Sequence, residues 1–303
     1  MIAKEKEGLK LGIIKGEHIN DYHGNGSISA SKLKSFLSNP RSYYGTYISK
    51  EYPDTFDPEV GKFGNAFHTM CLEGMDVFHG EYRVSDPEAP REPTELMWNK
   101  FFAGKATPDV IQRCEYWDQL KNDTRQVIKA EDCKVLNKML QGVKHNEPAL
   151  DLLVKGEPEV GFRMEYEGSY LQCRTDCLID KGDSYIVLDA KTTSSPIEDV
   201  SKAIVRYRYD IQAAFYKYVM EQVQDKKVSK FCFLFVEKKP PYQNQLVTLD
   251  MDIIDAQMDT VQELIDGIIS LKAMDRPKFP APSVTFSNIA SNWELRELGV
   301  TDE

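Results

Sequence analysis

The chain has 303 residues, of which 41% are apolar, 28% charged and 11% aromatic, close to the globular average, so disordered, collagen-like and coiled-coil chains are excluded. At this length a chain buries roughly 75% of its unfolded surface and needs no covalent staples. The formal net charge of −10 argues against a protein that coats nucleic acid by bulk attraction, but leaves room for a local basic channel.

The longest apolar runs, Phe231 to Val236 and Tyr185 to Leu188, are strand-sized, far short of the roughly 18 residues of a membrane-spanning helix. No membrane association is expected. Met1 to Gly16 carries Lys4, Glu5, Lys6, Glu7 and Lys10 and has neither a long apolar region nor a small-residue cleavage site, so it is not read as a secretory signal. The six cysteines form no CxxC pair and read as free thiols of a cytoplasmic protein. Cys173 and Cys177 have no second Cys/His pair at zinc-ligand spacing, which favours packed strand thiols over a metal half-site.

In chain order, Ser29 is a candidate N-cap for a helix over about Ala30 to Leu37, which Asn39-Pro40 ends before the aromatic run Tyr43, Tyr44 and Tyr47. A second helix is expected from Gly61 to Glu73, where Phe63, Phe67, Met70 and Cys71 recur on one face and Gly74 supplies the stop. Between about Asp86 and Pro108 the chain turns Pro-rich and polar, an excursion from the core. Helices are expected again around Pro108 to Leu120 and Glu131 to Leu153.

From Glu157 the period changes. Glu159 to Met164, Tyr170 to Ile179 and Tyr185 to Ala190 read as a three-stranded meander with turns at Glu167-Gly168 and Lys181-Gly182-Asp183. Ser195-Pro196-Ile197-Glu198 has the form of a capping box, opening a helix that continues into the stripe Ile211, Ala214, Phe215, Tyr218 and Val219. Strands at Phe231 to Glu237 and Gln245 to Met251 precede a helix near Met258 to Met274. The fold class is α+β, a mixed central β-sheet flanked by helices. One domain is expected over residues 1–303, with a helical part at about 25–155, a sheet core at about 157–275 and a tail at 276–303 containing a short helix around Trp293 to Leu298.

The chemistry centres on Asp189-Ala190-Lys191, where an apolar strand ends in a carboxylate and a lysine that share a face. The D/E-x-K pattern also occurs at Asp132 to Lys134, Asp225 to Lys227 and Glu237 to Lys239. These lie in a helical stretch, a polar turn and a segment running into Pro240-Pro241, so context selects Asp189. Asp176 lies on the preceding strand, on a face shared with Arg174 and Leu178, and two carboxylates on neighbouring strands can hold one hard cation. Gly64 and His68 lie one helical turn apart beside an apolar stripe, and Gln212 and Tyr216 form an i, i+4 pair.

In this order, Gly64 to His68, Cys173-Arg174-Thr175-Asp176, Leu188 to Thr193 and Tyr207 to Tyr216 make the chain resemble the PD-(D/E)XK nuclease superfamily. Within it, the likeness is to the RecB-like branch and to RecE-type (exonuclease VIII) nuclease domains. It covers about residues 25 to 285. The resemblance implies metal ligation by His68, Asp176, Asp189 and the Ala190 carbonyl, with Glu159 as a further acid for which Glu165 and Glu167 compete. It implies Asp176, Asp189 and Lys191 as catalytic residues supported by Gln212 and Tyr216. Ser27-Ile28-Ser29-Ala30-Ser31 with Asn39-Pro40 is similar to the S-x-S…C-P opening of the branch. Asn39 replaces the cysteine of its iron–sulfur members, so no cluster is expected.

Mg²⁺, replaceable by Mn²⁺, is therefore the expected cofactor, and phosphodiester hydrolysis the reaction. Arg174, Thr192, Arg206 and Arg208 are candidate DNA contacts; in Arg206-Tyr207-Arg208-Tyr209 guanidinium and aromatic groups alternate, as suits phosphate and exposed bases. The resemblance further implies a phage or prophage 5′-to-3′ exonuclease acting on double-stranded DNA ends. It would leave 3′ single strands for a RecT-like annealing recombinase and act as a homo-oligomer, in the form of a ring. The competing readings are a single-strand exonuclease or structure-specific endonuclease of the same branch, and a non-catalytic DNA-binding subunit on the same fold.

Overall fold

Alternating side chains in the second half of the chain build the sheet, and the helices cover both of its faces. The computed structural model describes residues 9–53, 58–274 and 277–279. Its strands are β1 (Gly12–Ile14), β2 (Tyr82–Val84), β3 (Gln126–Ile128), β4 (Glu157–Tyr166), β5 (Ser169–Asp180), β6 (Ser184–Thr193), β7 (Lys227–Glu237) and β8 (Asn244–Leu249). Six of them form a sheet in the order β1-β4-β5-β6-β7-β8, while β2 and β3 pair separately. Within the six, all neighbours are antiparallel except β6 and β7. A parallel pair needs a crossover, supplied here by the helices Val200–Arg206 and Tyr209–Val223.

Period-two alternation divides β7 between two cores. Phe231, Phe233 and Phe235 join the larger core with Ile211, Phe215 and Val219 of the crossover helix, Leu33 of the helix Ala30–Ser38 and Ile265 of the helix Met258–Ala273. Leu234 and Val236 join the opposite core with Phe67, Leu136 and Met139. Truncating one buried Phe of this row to Ala removes about 3–5 kcal/mol of stability.

Several boundaries differ from the sequence-based expectation, each for a local reason. The aromatic run after Pro40 is helical: Asn39 Oδ1 accepts from the Ser42 amide, opening a turn at Pro40–Tyr43 that continues as a π-turn over Tyr44–Ile48. The second helix starts earlier, at Pro58, and widens into a π-turn over Thr69–Glu73 directly after His68, before Gly74 at φ 96°. The 131–153 helix is two helices, Ala130–Lys144 and Glu147–Lys155, because Asn146 caps the second through the Ala149 amide.

The polar excursion contains a helix, Glu95–Phe102. The capping box does not form: Pro196 stands at the N-cap, and the Ile197 amide donates instead to Glu237 Oε1 at 2.7 Å. The crossover helix is interrupted at Arg208, whose φ of 50° ends one helix and starts the next. Residues 280–303, with the helix expected near Trp293, lie outside the described residues. Among the described residues no helix is long and apolar enough to cross a membrane.

Candidate active site

Strand β5 pairs with β4 over Ser169–Leu178, but with β6 only over Cys177–Asp180 against Tyr185–Leu188. One step further along this register Asp176 would face Asp189; instead the strands splay, and both carboxylates stand at the fork. There the Ala190 amide donates to Asp176 Oδ2 at 2.7 Å, in place of a ladder bond.

The face of β5 changes at this point. Cys173 and Leu178 lie in the larger core and Cys177 in the opposite one. Regular alternation would put Cys173 and Cys177 together, so it is broken between them. Arg174, Asp176 and Leu178 therefore do not share one unbroken face. The matching irregularity on β4 is Glu159, with φ 56°. It sits between the pairs Pro158↔Cys177 and Val160↔Thr175, directly across from Asp176. A glutamate in the left-handed region is held there by its surroundings at a cost of order 1–3 kcal/mol, and such strain concentrates at functional sites.

His68 reaches the fork from the opposite sheet face, at the end of the helix Pro58–His68. Its Nε2 is 2.9 Å from the Ala190 carbonyl oxygen. A carbonyl can only accept, so Nε2 donates to it, and Nδ1 faces Asp176 Oδ2 at 3.6 Å. The ligand atoms of His68, Glu159 and Asp176 all lie within 4.8 Å of one another. Burial, reinforced by the Asp176 charge, pushes the Glu159 carboxyl up to about 8, although Arg174 pairs with it at 2.6 Å. A crowded set of imidazole and carboxylate donors, with Glu159 held above the usual carboxylate range, suits a divalent cation.

The other competitors for the extra acid are elsewhere. Glu165 pairs across from Tyr170 near the far end of the β4–β5 hairpin, and Glu167 lies in its turn. An open cleft of about 490 Å³ adjoins the trio on this flank, lined by Glu17, Glu73, Glu81, Arg125 and Arg174 among others.

Asp189 stands beside the trio, 1% exposed in its side chain. Gln212 Nε2 donates to its Oδ2 at 2.6 Å, and its Oδ1 is against the Lys191 ammonium. Burial raises the Asp189 carboxyl, opposed by Lys191. Burial likewise works against the Lys191 ammonium, but Asp189 and Asp176 outweigh it and hold its proton tightly. Tyr216 is half-buried, packed edge-on against Phe231, and burial raises its phenol well above the usual value.

Two residues outside the expected catalytic and metal-binding set complete this flank. Lys34 Nζ donates to Gln212 Oε1 at 3.1 Å, which fixes the amide so that its NH₂ points to Asp189. The Tyr209 ring, stacked on Phe233, has the Lys34 ammonium 5.1 Å and the Lys191 ammonium 5.7 Å from its centre. Tyr209 was expected only as one of the aromatic groups suited to exposed bases, not as a neighbour of Lys191. Lys34 carried no local signal, since its contact spans 178 residues of sequence.

The four candidate DNA contacts are spread out. Arg174 is at the trio, its guanidinium also over Tyr22, and Thr192 follows Lys191 on β6, half-buried. Arg206 is exposed beside the Tyr207 ring, whereas Arg208 is tied to Asp210 by two bonds of 3.1 Å and to Gln257. Of the other D/E-x-K sites, Asp132 sits in the first turn of a helix, and Glu237 accepts from the Ile197 and Gln243 amides.

Comparison with known proteins adds a family. Residues 29–281 match a family described as a PDDEXK-like domain of unknown function, DUF3799. No curated protein matches. Among solved structures, the chain is similar to a candidate exonuclease from Eubacterium rectale at 14% identity and a TM-score of 0.47, covering 90% of this chain and 97% of that one. It is also similar to a phage-related exonuclease from Haemophilus somnus 129PT at 15% identity and a TM-score of 0.28, covering 59% and 90%.

Proposed function

Since the chain belongs to the PDDEXK-like family DUF3799, and with it to the PD-(D/E)XK nuclease superfamily, we propose that it is a Mg²⁺-dependent exodeoxyribonuclease, one domain that digests linear double-stranded DNA. The observation that carries this reading is the fork, where Asp176 and Asp189 diverge next to His68 and Glu159 on one flank and Lys191 on the other. His68, Glu159, Asp176, Asp189 and the Ala190 carbonyl would hold the cation, which Mn²⁺ could replace. When bound, it supplies Lewis acidity toward a phosphodiester oxygen and acidifies water.

The remaining roles belong to the chain's own groups. Lys191, kept protonated by two carboxylates, orients a water molecule or balances charge building on the phosphate. Gln212 holds Asp189 in place through Oδ2, and Tyr216, one turn along the same helix, packs on Phe231. A 5′-to-3′ direction, 3′ single-stranded products, a ring-shaped homo-oligomer and a RecT-like annealing partner are the finer parts of the proposal; they rest on the resemblance to RecE-type domains.

The test compares 5′-labelled linear duplex with nicked and closed circular DNA in Mg²⁺. Progressive release from linear duplex alone is expected, with closed circles untouched and all turnover lost in excess EDTA. Cleavage of closed circles would assign an endonuclease instead, and undiminished cleavage in EDTA would overturn the metal-dependent reading.

A further inference from the structure

We infer that Lys34 is a phosphate-binding residue of this site, whose ammonium takes an oxygen of the nucleic-acid backbone beside Lys191. The inference rests on the nuclease reading and adds to it a group from outside the catalytic sheet. The helix Ala30–Ser38 lies on the face of the sheet that carries Asp189 and Lys191, and it brings Lys34 Nζ to 3.1 Å from Gln212 Oε1 and 5.1 Å from the centre of the Tyr209 ring.

Two features separate Lys34 from a packing lysine. Among the described residues its ammonium makes no ion pair; its polar contact is a neutral amide and its apolar contact the face of a ring. A surface lysine bonded in this way would turn to water, yet this one is half-buried beside a second ammonium. Lys191 already has Asp189 against it, so the unmatched charge is that of Lys34, and a half-buried ammonium with no ion pair is unfavourable until an anion joins it.

Burial and the Lys191 charge push the Lys34 ammonium down to about 8, with Asp189 and Asp210 opposing. The opposite flank favours a phosphate less, because Glu17, Glu73, Glu81 and Glu159 line the cleft there, with Arg174 bonded to Glu159 and Arg125 to Asp123. A backbone phosphate approaching the fork is therefore drawn to the flank bearing Lys34, Lys191 and Tyr209. The Tyr209 ring, near both ammoniums, is the aromatic group at hand for the adjoining sugar or base.

The experiment measures binding of a short fluorescent duplex by anisotropy across a salt series, with Ca²⁺ in place of Mg²⁺, for the full chain and for Lys34→Met, Lys34→Gln and Lys34→Arg. Each phosphate contact adds roughly 0.9 to the slope of log affinity against log salt. Lys34→Met and Lys34→Gln are expected to lose about that much slope, and Lys34→Arg to keep it. A residue that only orients Gln212 would lower turnover in Mg²⁺ and leave the slope unchanged, so an unchanged slope in either folded neutral variant overturns the inference. A Lys34-dependent slope in a protein that never cleaves in Mg²⁺ supports the phosphate site while removing the nuclease reading. A wild-type chain that does not bind the duplex removes both.

Discussion

The two flanks of the fork carry opposite versions of one electrostatic problem. On the His68 side, Glu159 is crowded by Asp176 and by burial until its carboxyl rises to about 8; on the Gln212 side, Lys34 is crowded by burial and Lys191 until its ammonium falls to about 8. Crowding of like charge is costly in a folded protein, and here a crowded carboxyl and a crowded ammonium stand on the two sides of one fork. The asymmetry fits a ligand set of two signs, a cation on the acidic flank and a phosphate on the basic one. Asp189 and Lys191 sit where the two halves meet.

The comparison is broken most severely at that meeting point. Asp189→Asn keeps shape and removes one charge, and if the cation contributes several kcal/mol to the transition state, turnover falls on the order of a thousandfold at about 1.4 kcal/mol per tenfold. Lys191→Ala is expected to fail similarly. Asp132→Asn, in a helix first turn, is the matched control and should leave turnover unchanged. Single-turnover rates on linear duplex check all three, and an Asp189→Asn rate above about a tenth of wild type would move the catalytic centre elsewhere.

The acidic flank can be tested by protons. An unfolded glutamate gives up its proton near 4.5, whereas folded Glu159 keeps its own to about 8. This group therefore stabilises the metal-free fold at acidic pH, and that contribution is lost as pH rises from 4.5 through about 8. Binding of Mn²⁺ at pH 7 is expected to release about one proton from this site, and at pH 9 close to none. Calorimetry in buffers of different ionisation heat measures the difference, which Glu159→Gln should abolish. Equal proton release at both pH values would show that Glu159 is not the group displaced.

A smaller effect separates the two arginines of the crossover. Arg206 is exposed, while Arg208 is committed to Asp210 and Gln257, so Arg206→Ala should reduce the salt slope of duplex binding by up to about 0.9 and Arg208→Ala by less. Equal losses would mean that the Asp210 pair opens when DNA binds. Ca²⁺ should support this binding without turnover, because its larger, looser shell positions water poorly.

Much of the sheet was legible because its code is local. The β-favouring run Tyr170 to Ile179 and the turn residues Glu167-Gly168 and Lys181-Gly182 specify the β4–β5–β6 meander within a stretch of neighbouring residues. What failed to show was structure made by distant partners. The three-residue strands β1, β2 and β3 have no period to read, and Ser195 to Glu198 looked self-capping while the cap came from Glu237.

The fork shows the same division. Asp189 and Lys191 were visible from strand and spacing. The placement of Glu159 ahead of Glu165 and Glu167 depended on hairpin register, and Lys34 depended on how a remote helix docks. The face change at Asp176 was hidden because alternation is assumed unbroken until a backbone such as that of Glu159 breaks it.

The parallel ladder between β6 and β7, the one such pair in the six-stranded sheet, also bears on the order in which the molecule assembles. β4, β5 and β6 can zip as consecutive hairpins, but β7 joins only after the 194–226 segment has looped back, and closing such a loop costs entropy before any contact repays it. The crossover helix that closes the loop is the one carrying Gln212. During refolding, amides of the meander should therefore gain protection from solvent exchange before those of β7, and the capacity to cleave should return with the later group.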